Sequence, residues 1–197
     1  MDRLILASHG ETDGNVGGLL NGDPSAPVAL TPRGRDEARR LGEQLAGEPL
    51  GLCVTSHFPR TQETAGLALA GRDVPRLVVP ELGDPDYGVF EGRPLADYRA
   101  WAGANPSSVG PPGGGEARLA LVRRYVRGFG ALLERPEAVV LAVLHSLPVG
   151  YLLGAREGRA PEPRVALVEN ARPYPVTAAE LERALGVLEA WCAAPTW

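Results

Sequence analysis

The chain contains three histidines, and two of them share a setting. His9 follows the apolar run Leu4-Ile5-Leu6-Ala7 and Ser8, and leads into Gly10-Glu11-Thr12 with Asn15 close behind. His145 follows the run Val139–Leu144 and leads into Ser146-Leu147-Pro148. Imidazole titrates near neutral pH and serves as nucleophile, acid or base. Arg60, in "TSHFPRTQETA", comes after a third apolar run, and its planar fork suits phosphate or carboxylate. Two imidazoles and a guanidinium brought to one edge would make an anion site. Gly10, beside the first imidazole, lets backbone N–H groups come close to such a ligand. A single histidine at a strand end is more often a hydrogen-bonded structural residue. The convergence of three groups is what points to chemistry. His57, in the loop before Arg60, is expected to be an exposed loop side chain.

For these residues to meet, the elements carrying them must be neighbours. Leu4–Ala7, Leu52–Thr55, Leu77–Val79 and Val139–Leu144 are short apolar runs of the kind found in buried strands. Between them lie helical patterns. Thr31-Pro32 supplies an N-cap and a first-turn proline, after which Ala38, Leu41 and Leu45 share a face. Pro59 opens a second helix towards Ala70. From Glu116 the apolar positions Leu119, Val122, Val126, Phe129 and Leu133 step by three and four. Thr177-Ala178-Ala179-Glu180 is a capping box, followed by Leu181, Ala184, Leu185, Leu188 and Trp191. Trp191 is expected in the core or as the anchor of a lid. The alternation predicts an α/β three-layer sandwich, with a mostly parallel central sheet and helices on both faces. Ligands of such folds lie outside the carboxyl ends of the strands, where both His9 and His145 fall. The Pro/Gly-rich segment Asn105–Gly115 is either a lid over that edge or a plain connection.

The bulk properties narrow the chemistry. A length of 197 residues suits a single domain spanning 1–197. The net charge of -4 argues against a general nucleic-acid binder. All 20 basic residues are arginine, which excludes Schiff-base chemistry and a Walker A phosphate loop, since both need lysine. Cys53 and Cys192 lie in apolar runs and are expected as reduced core residues. No signal-peptide pattern and no apolar run long enough to span a bilayer is present, so a soluble, cytoplasmic protein is expected. The histidines have no metal-ligand spacing, and neither a metal nor a cofactor is implied.

At this point the ordered blocks carry a resemblance to the histidine phosphatase superfamily, also called phosphoglycerate mutase-like. "LILASHGETDGN" resembles the family's opening strand with Arg-His-Gly-Glu-Thr and a trailing Asn. "GDPSAPVALTPRGRDEA" resembles Gly-Asp followed by Leu-Thr-x-x-Gly-x-x-Gln-Ala, with Glu37 at the glutamine. "TSHFPRTQETA", "DPDYGVFEG", "PPGGGEA" and "VLAVLHS" match four further blocks, with Ala117 where Gly-Glu-Ser has serine. The match fades beyond Ala155. The resemblance implies a phosphomonoester hydrolase in which His9 becomes phosphorylated and water then releases phosphate. Arg60 and His145 would hold the phosphoryl oxygens, with Asn15, Ser8 and the Gly10 backbone as neutral contacts. The family's acid falls on Asp84, one methylene shorter than the usual glutamate, with Glu81 and Asp86 as nearby substitutes. Arg124 matches a family arginine, and a structural ion pair is its expected role. The implied partner is a small phosphomonoester or phosphate, with no nucleic acid and no membrane; homo-oligomerisation is left open.

One departure is sharp. The family motif has arginine immediately before the nucleophile, and this chain has Ser8. Removing a charged donor from a buried anion site costs about 3–5 kcal/mol. At about 1.4 kcal/mol per tenfold, that is a rate loss of roughly 10² to 10⁴ if nothing compensates. Arg33, Arg35, Arg93 and Arg118 lie near the matched blocks and are candidates to compensate. The alternatives are therefore a weakened or re-specialised phosphatase, an impaired member that only binds a phosphorylated or acidic ligand or a protein, and, less favoured, a phosphoglycerate mutase.

Overall fold

In the computed structural model, which describes residues 1–26 and 28–197, the four apolar runs become strands of one sheet. They are β1 (Arg3–Ser8), β2 (Leu52–Thr55), β3 (Arg76–Val78) and β4 (Val139–Leu144), and a fifth, β5 (Tyr174–Thr177), completes it. The order is β3-β2-β4-β1-β5, with β1, β2, β3 and β4 parallel and β5 antiparallel to β1. β4 is buried at every position, as a central strand covered on both faces must be. Alternation then sorts the core. Leu4, Leu6, Val140 and Ala142 face one layer, whereas Ile5, Ala7, Leu141 and Val143 face the other.

Helices fill both layers, as the sandwich requires. α2 (Pro32–Gln44) and α3 (Pro59–Ala68) cover one face; α5 (Arg118–Leu133), α6 (Ser146–Arg156) and α7 (Ala178–Ala193) cover the other. Two further helices, α1 (Asp13–Gly17) and α4 (Leu95–Ala104), lie in the connections. Thr31 caps α2 through Gly34, and Thr177 with Glu180 caps α7 reciprocally, as their sequences predict. Trp191 belongs to the core, and Cys53 and Cys192 are free and buried; burial pushes the Cys53 thiol up to about 12.

Some expectations need correction. β3 is exposed at all three positions because it is an edge strand, and it starts one residue early. β5 went unread because Pro175 interrupts its pattern; an edge strand tolerates a residue that donates no ladder hydrogen bond. On α5 the buried stripe runs through Leu121, Val122, Tyr125, Phe129 and Leu132, while Leu119, Val126 and Leu133 flank it. Tyr125 occupies the centre of that stripe, so counting aliphatic letters alone rotates it. His57 is half-buried against Phe58, with ring centroids 4.7 Å apart, rather than exposed.

Candidate active site

β1 and β4 run side by side in register, Ser8 opposite Leu144, and the His9 N–H donates to the Leu144 carbonyl at 2.9 Å. The two histidines therefore leave the sheet together. Both are buried, with ring centroids 5.5 Å apart and edge-on. They stand at the carboxyl edge of the sheet, where His9 lines a cavity of about 160 Å³ and His145 does not.

His9 is held in one tautomer. Its Nδ1 lies 2.8 Å from the Gly10 carbonyl, which can only accept, so Nδ1 carries the proton. Nε2 then presents a lone pair, and Arg60 Nε donates to it at 3.1 Å. Burial, the Arg60 guanidinium and His145 together lower the His9 pKa to about 3, so the ring is neutral. The turn is tight: a Cβ on Gly10 would lie 2.3 Å from the Gly34 carbonyl oxygen at the start of α2. Gly10 is thus required by packing. Its N–H is already given to Thr64 Oγ1 at 3.0 Å, and Gly10 does not line the cavity, contrary to the expected ligand contact.

Arg60 is the second residue of α3, and the helix start aims its buried guanidinium across the cavity. Nη1 donates to Asn21 Oδ1 at 2.7 Å; Nη2 donates to the Asn21 carbonyl at 3.0 Å and to Asp84 Oδ2 at 2.7 Å. Asn21 escaped the sequence reading. The signal was Gly22 beside it: a Cβ there would lie 1.9 Å from the Pro85 carbonyl oxygen, so only glycine lets the two loops touch. Glu91 ties them further, accepting from the Gly22 and Tyr87 N–H groups at 2.8 and 2.9 Å.

Asp84 is the one carboxylate on the cavity wall among the described residues. Its Oδ2 also lies 3.0 Å from His145 Nδ1, too poorly aligned for a full hydrogen bond. Burial would raise the Asp84 pKa, but His145 and Arg60 outweigh it and hold the carboxyl below the ordinary range. The resting group is therefore a carboxylate, not an acid. Arg124 fixes the loop beneath it, donating to the Glu81 and Gly83 carbonyls at 2.6 and 3.1 Å while paired with Glu116 at 2.7 Å. Glu81 and Asp86 are exposed and lie outside the cavity.

His145 presents the other pattern. Its Nε2 meets Ser56 Oγ at 2.8 Å, and Ser56 in turn meets Thr61 Oγ1 at 3.0 Å. Ser56 lies inside a matched block yet received no role from sequence. Burial lowers the His145 pKa against the opposing pull of Asp84. Asn15 lines the cavity from α1, its Oδ1 held by the Thr12 N–H at 3.0 Å. Ser8 does not line it; its hydroxyl is buried without a hydrogen-bond partner among the described residues. The Asn105–Gly115 segment is also absent from the wall. It braces the Asp86–Phe90 turn instead, with Val89 N donating to the Pro112 carbonyl and Glu116 N to the Asp86 carbonyl, both at 2.8 Å. The cavity is bordered by Leu19, Leu95, Leu147, Val165 and Leu167.

Similarity to known proteins agrees with this geometry. The adenosylcobalamin/alpha-ribazole phosphatase of Salmonella typhimurium is 38% identical over 162 residues, covering 78% of each chain. A 2,3-bisphosphoglycerate-dependent phosphoglycerate mutase of Methylobacterium sp. is 34% identical over 140 residues, covering 64% of this chain and 65% of the relative. The solved structure of a putative alpha-ribazole-5'-P phosphatase from Escherichia coli superposes with a TM-score of 0.76 at 28% identity, covering 89% of this chain and 90% of that one. The family model for branch 1 of the histidine phosphatases matches residues 4–191, well past the point where the motifs fade to the eye, and the chain belongs to the histidine phosphatase superfamily.

Proposed function

We propose that this protein hydrolyses phosphomonoesters through a phosphohistidine on His9. The observation that carries the reading is the His9 tautomer: Nδ1–H fixed on the Gly10 carbonyl leaves an unprotonated Nε2 beside the Arg60 guanidinium. That is a nucleophile next to a phosphate-binding fork. The Nε2 lone pair attacks phosphorus as the bond to the ester oxygen breaks, and Arg60 shifts from Nε2 and Asp84 to the phosphoryl oxygens. The His145 N–H now facing Asp84 adds a donor to the same oxygens.

Asp84 supplies the leaving group's proton. A phosphate dianion draws Arg60 away from the carboxylate and adds a like charge beside it; both changes raise its proton affinity. Asp84 thereby takes up a proton in the complex and passes it to the departing alkoxide. In the second step the carboxylate accepts a proton from the attacking water, phosphate leaves, and Nε2 is restored. Without an arginine at position 8, β1 itself contributes only the nucleophile. The apolar border of Leu19, Leu147 and Leu167 favours an ester of a bulky alcohol with an apolar face. The names of the alpha-ribazole phosphatase relatives make that ester the first natural candidate to assay.

The test is steady-state hydrolysis of p-nitrophenyl phosphate beside His9→Ala, with a search for an acid-labile, alkali-stable phosphoryl adduct. Turnover and adduct in the parent, both abolished in the variant, are expected. Phosphate binding with neither would leave a ligand-binding protein. Phosphoglycerate interconversion without phosphate release would indicate a mutase.

A further inference from the structure

Of the four arginines near the matched blocks, three are committed elsewhere. Arg33 is exposed and paired with Glu37 at 3.0 Å, Arg35 with Glu63 at 2.9 Å, and Arg93 with Asp97 at 3.7 Å. Arg118 differs in every respect. It opens α5, is only 5% exposed, and forms part of the wall of the cavity that holds His9 and Arg60. Its Nε donates to the Tyr98 hydroxyl at 2.6 Å and its Nη1 to the Tyr151 hydroxyl at 3.0 Å, with the guanidinium 4.9 Å from the Tyr98 ring centroid.

No carboxylate among the described residues pairs with Arg118. A buried cation held only by neutral hydroxyls is costly unless an anion joins it. Burial pushes the Tyr151 hydroxyl up, so it stays neutral and supplies no counter-charge. Arg118 Nη2 makes no hydrogen bond to the described residues. An anion in the cavity that Arg118 lines would supply that partner.

The direction of approach is informative. Leu4 and Leu6 of β1 pack into the α5–α7 layer, and alternation turns the Ser8 side chain to that same face. Ser8 leaves there a buried hydroxyl with no hydrogen-bond partner among the described residues. Arg118 comes from that layer, whereas Arg60 comes from α3 in the opposite one. The geometry points to Arg118 as the second phosphate-binding arginine of this chain, supplying from α5 the guanidinium that Ser8 does not supply from β1. The phosphoryl group is then held between Arg60 and Arg118, from opposite faces of the sheet. Tyr98 and Tyr151 act through Arg118 as positioning residues. This inference rests on the phosphoryl-transfer reading of His9.

The experiment measures inorganic phosphate affinity by calorimetry and p-nitrophenyl phosphate hydrolysis, for the parent and for Arg118→Gln. Inorganic phosphate has no leaving group, so an arginine that touched only the alcohol portion would leave its affinity unchanged. Arg118→Gln is expected to weaken phosphate binding and kcat/KM each by about 10²-fold, the scale of losing one preorganised donor group. Ser8→Arg is expected to recover tenfold or more in the Arg118→Gln background and to gain far less in the parent, a difference between backgrounds that a merely structural Arg118 would not produce. Should Arg118→Gln not fold, Tyr151→Phe removes one orienting hydroxyl and is expected to weaken phosphate binding severalfold with the melting temperature nearly unchanged. Parent-like phosphate affinity in a folded Arg118→Gln or in Tyr151→Phe overturns the assignment. A parent that binds phosphate through Arg118 without hydrolysing esters would overturn the phosphatase reading and leave Arg118 standing. Hydrolysis undiminished in Arg118→Gln would do the reverse.

Discussion

His9 and His145 leave neighbouring parallel strands at the same level, yet opposite nitrogens face the site: Nε2 of His9, which lines the cavity, and Nδ1 of His145, which lies against Asp84 and does not line it. His9 spends Nδ1 on the Gly10 carbonyl and exposes Nε2 to Arg60. His145 spends Nε2 on Ser56 and turns Nδ1 towards Asp84. Both rings are buried and both pKa values are lowered by desolvation. What separates them is the partner of the nitrogen that faces away. A carbonyl accepts only, so it fixes a proton on Nδ1 and frees a lone pair on Nε2; a hydroxyl can donate, so it lets the other ring keep its N–H towards the carboxylate. One strand end thus presents a lone pair, the other an N–H.

The largest effect that sharpens this division is expected at Asp84, which touches the His145 side and Arg60 but makes no hydrogen bond to His9. Asp84→Asn removes the proposed proton donor and leaves Nε2 of His9 in place. Hydrolysis of an alkyl phosphate is expected to fall by about 10³-fold, within the range for general acid catalysis, while p-nitrophenyl phosphate, whose leaving group needs little protonation, falls far less. Rates measured across a series of leaving groups check this. An equal loss for every ester would assign Asp84 to holding Arg60 rather than to protonation.

The division was only half legible in the sequence. Two apolar runs each ending in histidine announce that both rings reach the carboxyl edge, because strand direction and a parallel sheet require it. Which nitrogen faces inward depends on Gly10 and Ser56, the second of which is 89 residues away from His145 in the chain. Local pattern carries no such information. The same limit explains Asn21: its bond to Arg60 spans 39 residues and uses a backbone carbonyl as well as the side chain. Arg118 could be named as a candidate from its place near a motif. Its distinction from Arg33 rests on Tyr98 and Tyr151, which α4 and α6 bring to it, and α4 buries only Tyr98 and Ala102. Elements with long apolar stripes, such as α7, were readable end to end; those anchored by one or two residues were not.

A smaller effect is expected from Ser56→Ala. The variant keeps both histidines and the cavity but leaves His145 Nε2 buried without its hydroxyl partner. An unsatisfied buried acceptor costs about 2 kcal/mol, and a ring no longer anchored by the hydroxyl turns to find another partner, which takes its N–H away from Asp84. The expected loss in kcat/KM is about thirtyfold, with adduct formation on His9 slowed but retained. Rapid-quench measurement of the adduct separates the two steps. Unchanged activity would mean that the Ser56 contact does not orient the ring, and the contrast between the rings would need another cause.

The smallest effect is a slope rather than a loss. The His9 pKa is about 3 in the folded chain against an ordinary 6.5, so between those values the unfolded chain binds a proton that the folded chain does not. Stability therefore holds above pH 6.5 and declines as pH falls towards 3, by up to about 1.4 kcal/mol per pH unit from this one group. His145 adds to the same decline, because burial lowers its pKa too. His9→Asn removes the first contribution and keeps the second, so chemical denaturation of parent and variant at pH 6.0 and 5.0 isolates it. The window stays above the ordinary carboxylate range, where Asp84 would add its own acid-side loss. The variant is expected to lose less stability over that unit than the parent does, by about 1 kcal/mol. Parallel curves would show that His9 is free to charge in the folded protein, and an imidazole that charges readily at pH 5 is a poor match for one whose Nε2 lone pair is proposed to attack phosphorus.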